Sequence, residues 1–226
     1  MCGRYTLSSP GETVAEIFGL EQLPLLLPRF NIAPTQEALV VRAGALGSKP
    51  KGDLMRWGLV PSWADDPKVG GRMINARAES AASRPAYRDS LRYQRCLVPA
   101  DGFYEWQGEG AARHPHLIRR VDRLPFAFAG LWARWRQADT DTPLDTFTIL
   151  TVSPNDLLRP LHDRMPLILP SAAYSTWLDR RIVSPAALAP LLHPAEAKGW
   201  EAVPVSRAVN NVRHDEADCI APLIEA

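Results

Sequence analysis

The pattern of apolar and polar positions predicts mostly strands. Seven segments rich in Val, Ile, Phe, Tyr, Trp and Thr are bounded by Gly, Pro or Asp, which is typical of separate β-strands. They cover residues 38–42, 54–59, 95–98, 102–106, 116–120, 126–135 and 146–151. We therefore expect an extended sheet to form the core of the protein.

Helical patterns are short and flank this sheet. Val14, Ile17 and Phe18 fall on one helical face, and Gly19 is a suitable stop. The preceding Ser9-Pro10-Gly11-Glu12 has the order of a capping box, with Pro at the first helical position. Residues 75–83 and 87–93 are predicted to be short helices or turns, and helices are predicted over residues 155–161, 172–178 and 185–192.

This order of elements favours an α+β fold. A mainly antiparallel sheet or barrel-like core with short peripheral helices fits strands that are interrupted by few long helical patterns. Residues 1–226 contain no internal repeat, low-complexity tract or linker, so we expect a single domain. Residues 108–114 are predicted to be a hairpin loop.

Composition narrows the class of protein. The chain has 226 residues, 46% hydrophobic and 23% charged, with a formal net charge of +1, which is typical of a soluble globular protein, and we expect a monomer. This charge excludes a strongly basic nucleic-acid-binding tail but allows a local basic groove. There is no membrane-spanning run or signal sequence, and three widely spaced cysteines do not form a disulfide framework, so we expect a cytoplasmic location.

Cys2 is the most chemically suggestive residue. Removal of Met1 by an aminopeptidase would leave an α-amine and a thiol on one residue, and both have nucleophilic forms near neutral pH. Such an aminothiol converts an aldehyde first to an imine and then to a five-membered thiazolidine. Position alone still favours an incidental second residue, because the reactivity of a thiol depends on its surroundings.

Four further side chains are candidates, each with a plainer alternative. His162 is either an acid/base or a helix C-cap, and Glu105, among aromatic residues, is either a desolvated acid or an outward residue on an edge strand. Asn75 and Arg77 could point into a cleft, with Arg77 on a phosphate. The residues alone favour the simpler roles, in which Asn75 caps a helix and Arg77 pairs with Glu79.

A basic stretch with interleaved aromatic residues covers positions 66–95. Charge of this kind can follow a single-stranded backbone while rings stack on bases, although a solvated surface is the usual explanation. The basic and aromatic members are Lys68, Arg72, Arg77, Arg84, Tyr87, Arg88, Arg92, Tyr93 and Arg95.

Neither a metal nor a cofactor is predicted. His114-Pro115-His116 places two imidazoles on one strand face, but no third ligand stands nearby in the sequence. The glycine pairs around positions 44–47 and 70–71 do not match a phosphate-binding loop or a dinucleotide fingerprint.

Several fragments stand in a fixed order along the chain: Met1-Cys2-Gly3-Arg4-Tyr5, Phe30-Asn31-Ile32-Ala33-Pro34, Trp57-Gly58-Leu59-Val60-Pro61, Ile74-Asn75-Ala76-Arg77-Ala78-Glu79, the run from Cys96 to Trp106, His162-Asp163-Arg164-Met165-Pro166, Val205-Ser206-Arg207 and Val209-Asn210-Asn211-Val212. Taken in order, they resemble the SOS-response-associated peptidase (SRAP) family, which shields abasic sites. Each fragment is weak evidence alone, whereas the ordered set is highly specific.

The resemblance implies a mostly β fold that holds single-stranded DNA containing abasic sites in a cleft. It assigns Cys2 as the nucleophile, Asn75 to positioning, Glu105 to proton transfer around the imine, and His162 to acid/base steps. By the same resemblance Arg4 and Arg77 hold phosphates, and the region around Trp63 packs against bases. Trp63-Ala64 departs from members with two adjacent tryptophans, so we extend no junction preference to this chain.

Three functions are left to distinguish. The leading hypothesis is covalent crosslinking to abasic single-stranded DNA, and its imine intermediate also permits β-elimination, a lyase activity. The second is a thiol peptidase in which Cys2 and His162 act on protein substrates. The third is a non-covalent single-strand binding module that uses the basic stretch.

Overall fold

The computed structural model describes residues 2–45, 48–108, 110, 113–136 and 142–223. In these residues the strands are β1 (Tyr5–Leu7), β2 (Arg29–Ile32), β3 (Glu37–Arg42), β4 (Lys51–Trp57), β5 (Asn75–Arg77), β6 (Arg95–Ala100), β7 (Gly102–Gln107), β8 (His114–Arg120), β9 (Phe126–Trp135), β10 (Leu144–Val152), β11 (Met165–Pro166), β12 (Ile168–Leu169) and β13 (Trp200–Pro204). The α-helices are α1 (Gly11–Phe18), α2 (Ala78–Ala81), α3 (Arg88–Tyr93), α4 (Tyr174–Leu178) and α5 (Pro185–Leu188). Short 3-10 helices cover Pro67–Arg72, Ser171–Ala173, Ala189–Leu191, Arg207–Asn210 and Ala217–Ile220.

Five strands close into a barrel. The path β10–β4–β3–β6–β9 returns to its start because β9 also pairs with β10, and β5, β11 and β12 are attached to this ring. Gly130 pairs with both Cys96 and Ile149 at the closure. A Cβ atom on Gly130 would lie 2.8 Å from the sulfur of Cys96, so only glycine lets the strands approach this closely.

A second sheet, in the order β13–β8–β7–β1–β2, packs against the barrel. Tyr5 joins the two, since its ring contacts Trp57 and Phe128 edge to face at centroid distances of 5.2 and 5.8 Å. All three aromatic side chains are fully buried. The strand that carries the N-terminus is therefore fixed against the barrel core.

The strand predictions are confirmed, and six strands were missed. All seven predicted segments overlap observed strands, whereas β1, β2, β5, β11, β12 and β13 were not anticipated. These six strands are two to five residues long, which is too short for alternation to stand out from the neighbouring loops. The predicted hairpin joins β7 to β8, although residues 109, 111 and 112 of its loop lie outside the described residues.

Two helix predictions were wrong in detail. Ser9 does not cap α1, because its hydroxyl and its N–H bind the carboxylate of Asp101 at 2.7 and 2.8 Å; Pro10 takes the N-cap position. Residues 156–161 form turns rather than a helix, since Pro160 in the predicted interior has no N–H to donate. The predicted stop at Gly19 is confirmed, with a left-handed φ of 64°.

The start of the predicted 75–83 helix is strand β5, and only α2 within it is helical. Asn75 therefore does not cap a helix, and Arg77 stands at the N-cap position of α2.

The protein has the expected α+β fold, with a mainly antiparallel, barrel-like core and short helices around it. None of the helices in the described ranges has the length and apolarity needed to cross a bilayer.

Candidate active site

Cys2 lies at the junction of the barrel and the second sheet. Strand β1 pairs antiparallel with β7, with Tyr5 opposite Phe103, and Tyr104 donates its N–H to the carbonyl of Arg4 at 3.0 Å. Continuing this register places Gly3 opposite Glu105. Cys2 is fully buried, and its sulfur lies 3.9 Å from the carbonyl oxygen of Arg4.

Burial raises the pKa of the Cys2 thiol well above its usual value, and the carboxylate of Glu105 raises it further. A thiol in this environment stays protonated at neutral pH, because desolvation disfavours the charged thiolate. This effect agrees with the β1–β7 register, in which Glu105 stands opposite Gly3, the residue after Cys2.

Asn75 holds the backbone of Cys2. Its side-chain N–H donates to the Cys2 carbonyl at 2.8 Å, and strand β5 that carries it runs parallel to β10, with Asn75 opposite Ile149. The carbonyl of the preceding Ile74 accepts a bond from the indole of Trp57 at 2.9 Å. The Oδ1 atom of Asn75 is buried and accepts no hydrogen bond within the described residues, so it can receive a donor from a ligand.

Glu105 is a buried acid on a central strand. It stands in β7 between β8 and β1 and is 2% exposed, which excludes the edge-strand alternative. Burial raises its pKa to about 7, and Asp163 contributes to the rise, while positive charges that include Arg113 oppose it. A carboxyl group with this pKa can both give and accept a proton near neutral pH.

His162 stands in the turn before β11. We assign the backbone N–H of Arg164 as the donor to Nδ1 at 2.9 Å, and this assignment puts the proton of the neutral ring on Nε2. Burial is the main cause that lowers the pKa of His162, although Asp163, whose carboxylate lies 2.8 Å from the same nitrogen, opposes the shift. The charge of Asp163 also raises the pKa of Glu105, so this turn lies within electrostatic range of the buried acid.

Arg164 anchors the turn to α2. Its guanidinium forms two bonds of 2.8 Å with the carboxylate of Glu79 and a third, of 2.6 Å, with the carbonyl of Thr151. The Arg164 hydrogen bonds lower the pKa of Glu79. The predicted pairing of Arg77 with Glu79 was therefore wrong, since a guanidinium distant in sequence binds Glu79 on both oxygens.

Arg4 and Asn31 tie β1 to the C-terminal segment. Nη1 of Arg4 donates to Oδ1 of Asn31 at 2.9 Å and to the carbonyl of Val209 at 2.7 Å. The buried amide of Asn31 reaches three carbonyls of this segment, those of Val209, Asn211 and His214, at 2.7–3.1 Å. One nitrogen of Arg4 is thus committed to the fold, and its expected phosphate contact stays a prediction.

The side chains expected to meet DNA are mostly exposed. Trp63 is 65% exposed on the turn after β4, and Arg77 is exposed at the end of β5. Arg95 must be removed from the basic stretch, because it is buried and donates to four backbone carbonyls. Tyr87 is buried too, whereas Tyr93 is 56% exposed and accessible for stacking.

The structure thus brings Cys2, Asn75 and Glu105 together, with the turn of His162 facing them. Sequence reasoning gave no role to Asn31 or Arg113. Asn31 was visible only as part of a family fragment, and Arg113, which lies in the β7–β8 hairpin, acts on both Glu105 and His162 through its charge. The sequence pattern does not show these contacts, because Asn31 binds carbonyls far along the chain and Arg113 acts across the hairpin on Glu105 and on the distant His162.

Comparison with known proteins supports the resemblance seen in the motifs. A model of the family described as SOS response associated peptidase (SRAP) matches residues 1–212. The Abasic site processing protein YoqW of Bacillus subtilis (strain 168) is 40% identical over 224 residues, which cover 97% of this chain and 99% of that protein. The Abasic site processing protein YedK of Escherichia coli (strain K12) is 30% identical over 234 residues, covering 99% of this chain and 100% of that protein.

The fold is similar as well. A crystal structure of a protein from Bacteroides thetaiotaomicron aligns with a TM-score of 0.87 at 25% identity, covering 98% of this chain and 100% of the other. Both the family model and these relatives extend over nearly the whole sequence. The chain therefore belongs to the SOS response associated peptidase (SRAP) family.

Proposed function

We propose that this protein processes abasic sites in single-stranded DNA by forming a covalent thiazolidine link through Cys2. The observation that carries the proposal is the hydrogen bond from Asn75 to the carbonyl of Cys2, beside a buried acid whose pKa is about 7. The arrangement fixes the N-terminal residue next to a group that can move protons. Two relatives that match along the full chain are named abasic site processing proteins, which supports the same substrate.

The chemistry requires that Met1 be removed. The free α-amine of Cys2 then attacks the aldehyde of the ring-opened deoxyribose, and loss of one water gives an imine. The thiol adds its sulfur to the carbon of the protonated imine and passes its own proton to Glu105, which replaces the proton that the imine nitrogen had taken up, and a five-membered ring closes. No oxidant or metal takes part, and the only product besides the link is water.

The raised pKa of the thiol fits this order of events. The amine reacts first, and sulfur adds only to the protonated imine, which is a stronger electrophile than the aldehyde. Glu105 takes up the proton that the attacking amine releases and returns one when water leaves. Asn75 holds the Cys2 backbone in place and offers its buried Oδ1 to a hydroxyl of the sugar.

His162 is assigned to opening of the sugar ring and to reversal of the link. Burial lowers its pKa, so the ring is neutral at physiological pH and Nε2 carries a proton that it can donate. Elimination of the 3′ phosphate from the imine is a competing outcome and would appear as lyase activity. Arg77 and Arg4 are proposed to hold phosphates, and Trp63 to pack on a base.

A denaturing gel tests the proposal. Wild-type protein mixed with abasic single-stranded DNA is expected to give a slow-migrating band that resists salt and denaturant, and Cys2→Ala is expected to abolish it. Cys96→Ala is the matched control, because this thiol is buried in the barrel wall and its loss should leave the band. An undiminished band with Cys2→Ala, or no band with wild type, contradicts the proposal.

Cys2→Ser separates the two chemical steps. This variant keeps the α-amine but has a poorer nucleophile, so we expect an imine that borohydride traps and little stable link without it. Intact mass of the purified protein should lack Met1. A retained Met1 would block the amine and refute the thiazolidine route for that preparation.

A thiol peptidase is the second candidate, favoured by the family description. It needs a thiolate activated by His162, whereas burial raises the pKa of the thiol and its sulfur contacts a backbone carbonyl. Turnover of peptides without DNA would support it. Failure to cleave any peptide, including the protein's own N-terminus, would exclude the peptidase. Equal and fully salt-reversible binding of intact and abasic strands would instead favour a non-covalent single-strand binding module.

A further inference from the structure

A second cluster of reactive side chains lies away from Cys2, in the C-terminal segment. Residues 205–223 follow β13 and pack on the outer face of the second sheet. There Cys219 is fully buried in a small apolar cluster with Tyr104, Leu117, Val205 and Val209. This thiol plays no part in the proposed reaction.

Three different donor atoms converge at this position. Nε2 of His214 lies 2.7 Å from Oδ1 of Asp218, and the sulfur of Cys219 lies 3.5 Å from the backbone carbonyl of His214. The nitrogen, oxygen and sulfur donors of the three side chains all lie within 4.8 Å of one another. Tetrahedral ligands with bonds of about 2.0–2.3 Å stand about 3.3–3.8 Å apart, so these donors must approach one another by up to about 1 Å to share one zinc-sized ion.

We propose that His214, Asp218 and Cys219 bind a divalent transition metal of the zinc class. A thiolate, an imidazole and a carboxylate are the ligand types that Zn²⁺ accepts, and their mixed softness disfavours Mg²⁺ and Ca²⁺. Three protein ligands leave the fourth tetrahedral position to water. On binding, the Cys219 thiol releases its proton to solvent, the His214 ring carries its proton on Nδ1, and the two anionic ligands balance the charge of the ion.

The backbone around the ligands is already held in place. The carbonyl of His214 accepts the Asn31 amide at 2.7 Å, and its N–H donates to the carbonyl of Asn211 at 3.0 Å. The N–H of Cys219 donates to the carbonyl of Glu216 at 3.0 Å. Binding therefore requires a small movement of the side chains and no refolding of the segment.

Sequence spacing did not point to this site. The ligands stand at positions i, i+4 and i+5, without the Cys–Cys or His–His pairs that mark common zinc motifs. The 3-10 helix Ala217–Ile220 brings them together by turning the chain back toward His214. The nearby Asp215 is excluded as a ligand, because Arg29 and two backbone N–H groups occupy its carboxylate.

The site would stabilise the segment that holds β1. Val209 and His214 are both bound by Asn31, so a metal bridge from His214 to Cys219 would restrain the same stretch of chain. A metal ion that binds only the folded protein, and not the unfolded chain, raises the free energy of unfolding by mass action. We therefore expect zinc to raise the thermal midpoint, independently of any reaction with DNA.

Titration of metal-free, reduced protein with Co²⁺ tests the proposal. The expected result is one equivalent bound, with a thiolate-to-cobalt charge-transfer band in the near ultraviolet that Zn²⁺ abolishes by competition. Cys219→Ser should remove the band. Asp218→Asn should weaken Zn²⁺ binding by more than the roughly 10–100-fold that loss of an outer-shell partner costs.

The controls separate this site from the N-terminal aminothiol, which is itself a chelator. Cys2→Ser should keep the band and the zinc-induced rise in thermal midpoint, and so should His193→Gln at an exposed histidine elsewhere. Asp218 is exposed, so its variant tests the site without disturbing the core. Absence of the band in wild type, its survival in Cys219→Ser, or its loss in Cys2→Ser would each overturn the proposal.

Discussion

The side-chain amide of Asn75 and the backbone carbonyl of Cys2 are joined by a hydrogen bond of 2.8 Å that links the barrel to the N-terminal strand. Asn75→Ala leaves this carbonyl without its partner, which costs about 1–3 kcal/mol. If the bond positions Cys2 for attack, the single-turnover rate of crosslinking should fall about tenfold to a hundredfold. A time course of the covalent band on denaturing gels measures this rate.

Tyr87→Phe is the matched control for Asn75→Ala. It removes a hydroxyl that lies 3.5 Å from the backbone carbonyl of Asn75 and leaves the amide in place. Its rate should stay near that of wild type. Equal rates for Asn75→Ala and Tyr87→Phe would show that the bond to Cys2 does not position the nucleophile.

Glu105 should impose a pH dependence on stability. Its pKa rises from an ordinary 4.5 to about 7 in the folded protein, so the unfolded chain loses this proton first. The free energy of unfolding should therefore fall as pH rises from 4.5 to about 7 and the penalty should then level off, at up to roughly 3 kcal/mol. Glu105→Gln should remove this slope in urea unfolding measured at several pH values.

Glu201→Gln is the control of opposite sign. Arg119 and then Arg123 lower the pKa of Glu201, so this carboxylate contributes stability that is present at neutral pH and lost on acidification.

The rate of crosslinking should also change with pH around 7, because Glu105 changes its protonation state there, and Glu105→Gln should flatten this change. A wild-type rate that is flat across this range would exclude Glu105 from proton transfer.

Arg77 should contribute to DNA binding through charge alone. Its side chain is exposed at the end of β5, and a contact with one phosphate releases about one counterion. Arg77→Ala should weaken binding to intact single strands and reduce the slope of log K against log salt by about 1. Fluorescence anisotropy at several salt concentrations measures both quantities.

Arg181→Ala provides the comparison, because this exposed arginine pairs with Asp179 after α4. Its salt slope should equal that of wild type. Identical slopes for both variants would remove Arg77 from the DNA-binding surface.

Asn31 should be the most destabilising of the asparagine positions. Its buried amide binds three carbonyls, and its Oδ1 accepts from Arg4. Asn31→Ala should lower the free energy of unfolding by about 2–4 kcal/mol, since several buried groups lose their partner. Crosslinking should slow too, because Arg4 lies two residues from the nucleophile.

Asn210→Ala is matched to it, since Asn210 is exposed and accepts one bond, from the indole of Trp106. We expect less than about 1 kcal/mol for this change. A similar loss in both variants would mean that Asn31 does not hold the C-terminal segment against β1.

The secondary-structure elements that were predicted well from the sequence are those whose conformation is determined by their own side chains. Strand β9 was predicted with its observed bounds, because its apolar run is long and ends at clear turn signals. Strand β5 was predicted to be part of a short helix or turn, although its pairing with β10 fixes its extended form. A three-residue strand has no periodicity of its own, so only its distant partner determines it.

The same distinction applies to the site. The resemblance singled out Cys2, Asn75 and Glu105, and the fold brings them together. Ser9 and Glu79 were given local partners, but each binds a residue far along the chain, Asp101 and Arg164 respectively. A sequence shows only the candidate partners that are close along the chain. In the folded protein, a polar or charged side chain binds the best partner that is close in space.

The bond from Arg4 to the carbonyl of Val209 has a consequence for the order of events during synthesis. Strand β1 is synthesised early, whereas Val209, whose carbonyl binds Arg4, lies in one of the last segments to be synthesised. Cys2 lies two residues before Arg4 and is fully buried in the folded protein. The surroundings of Cys2 can therefore reach their final geometry only when translation is almost complete.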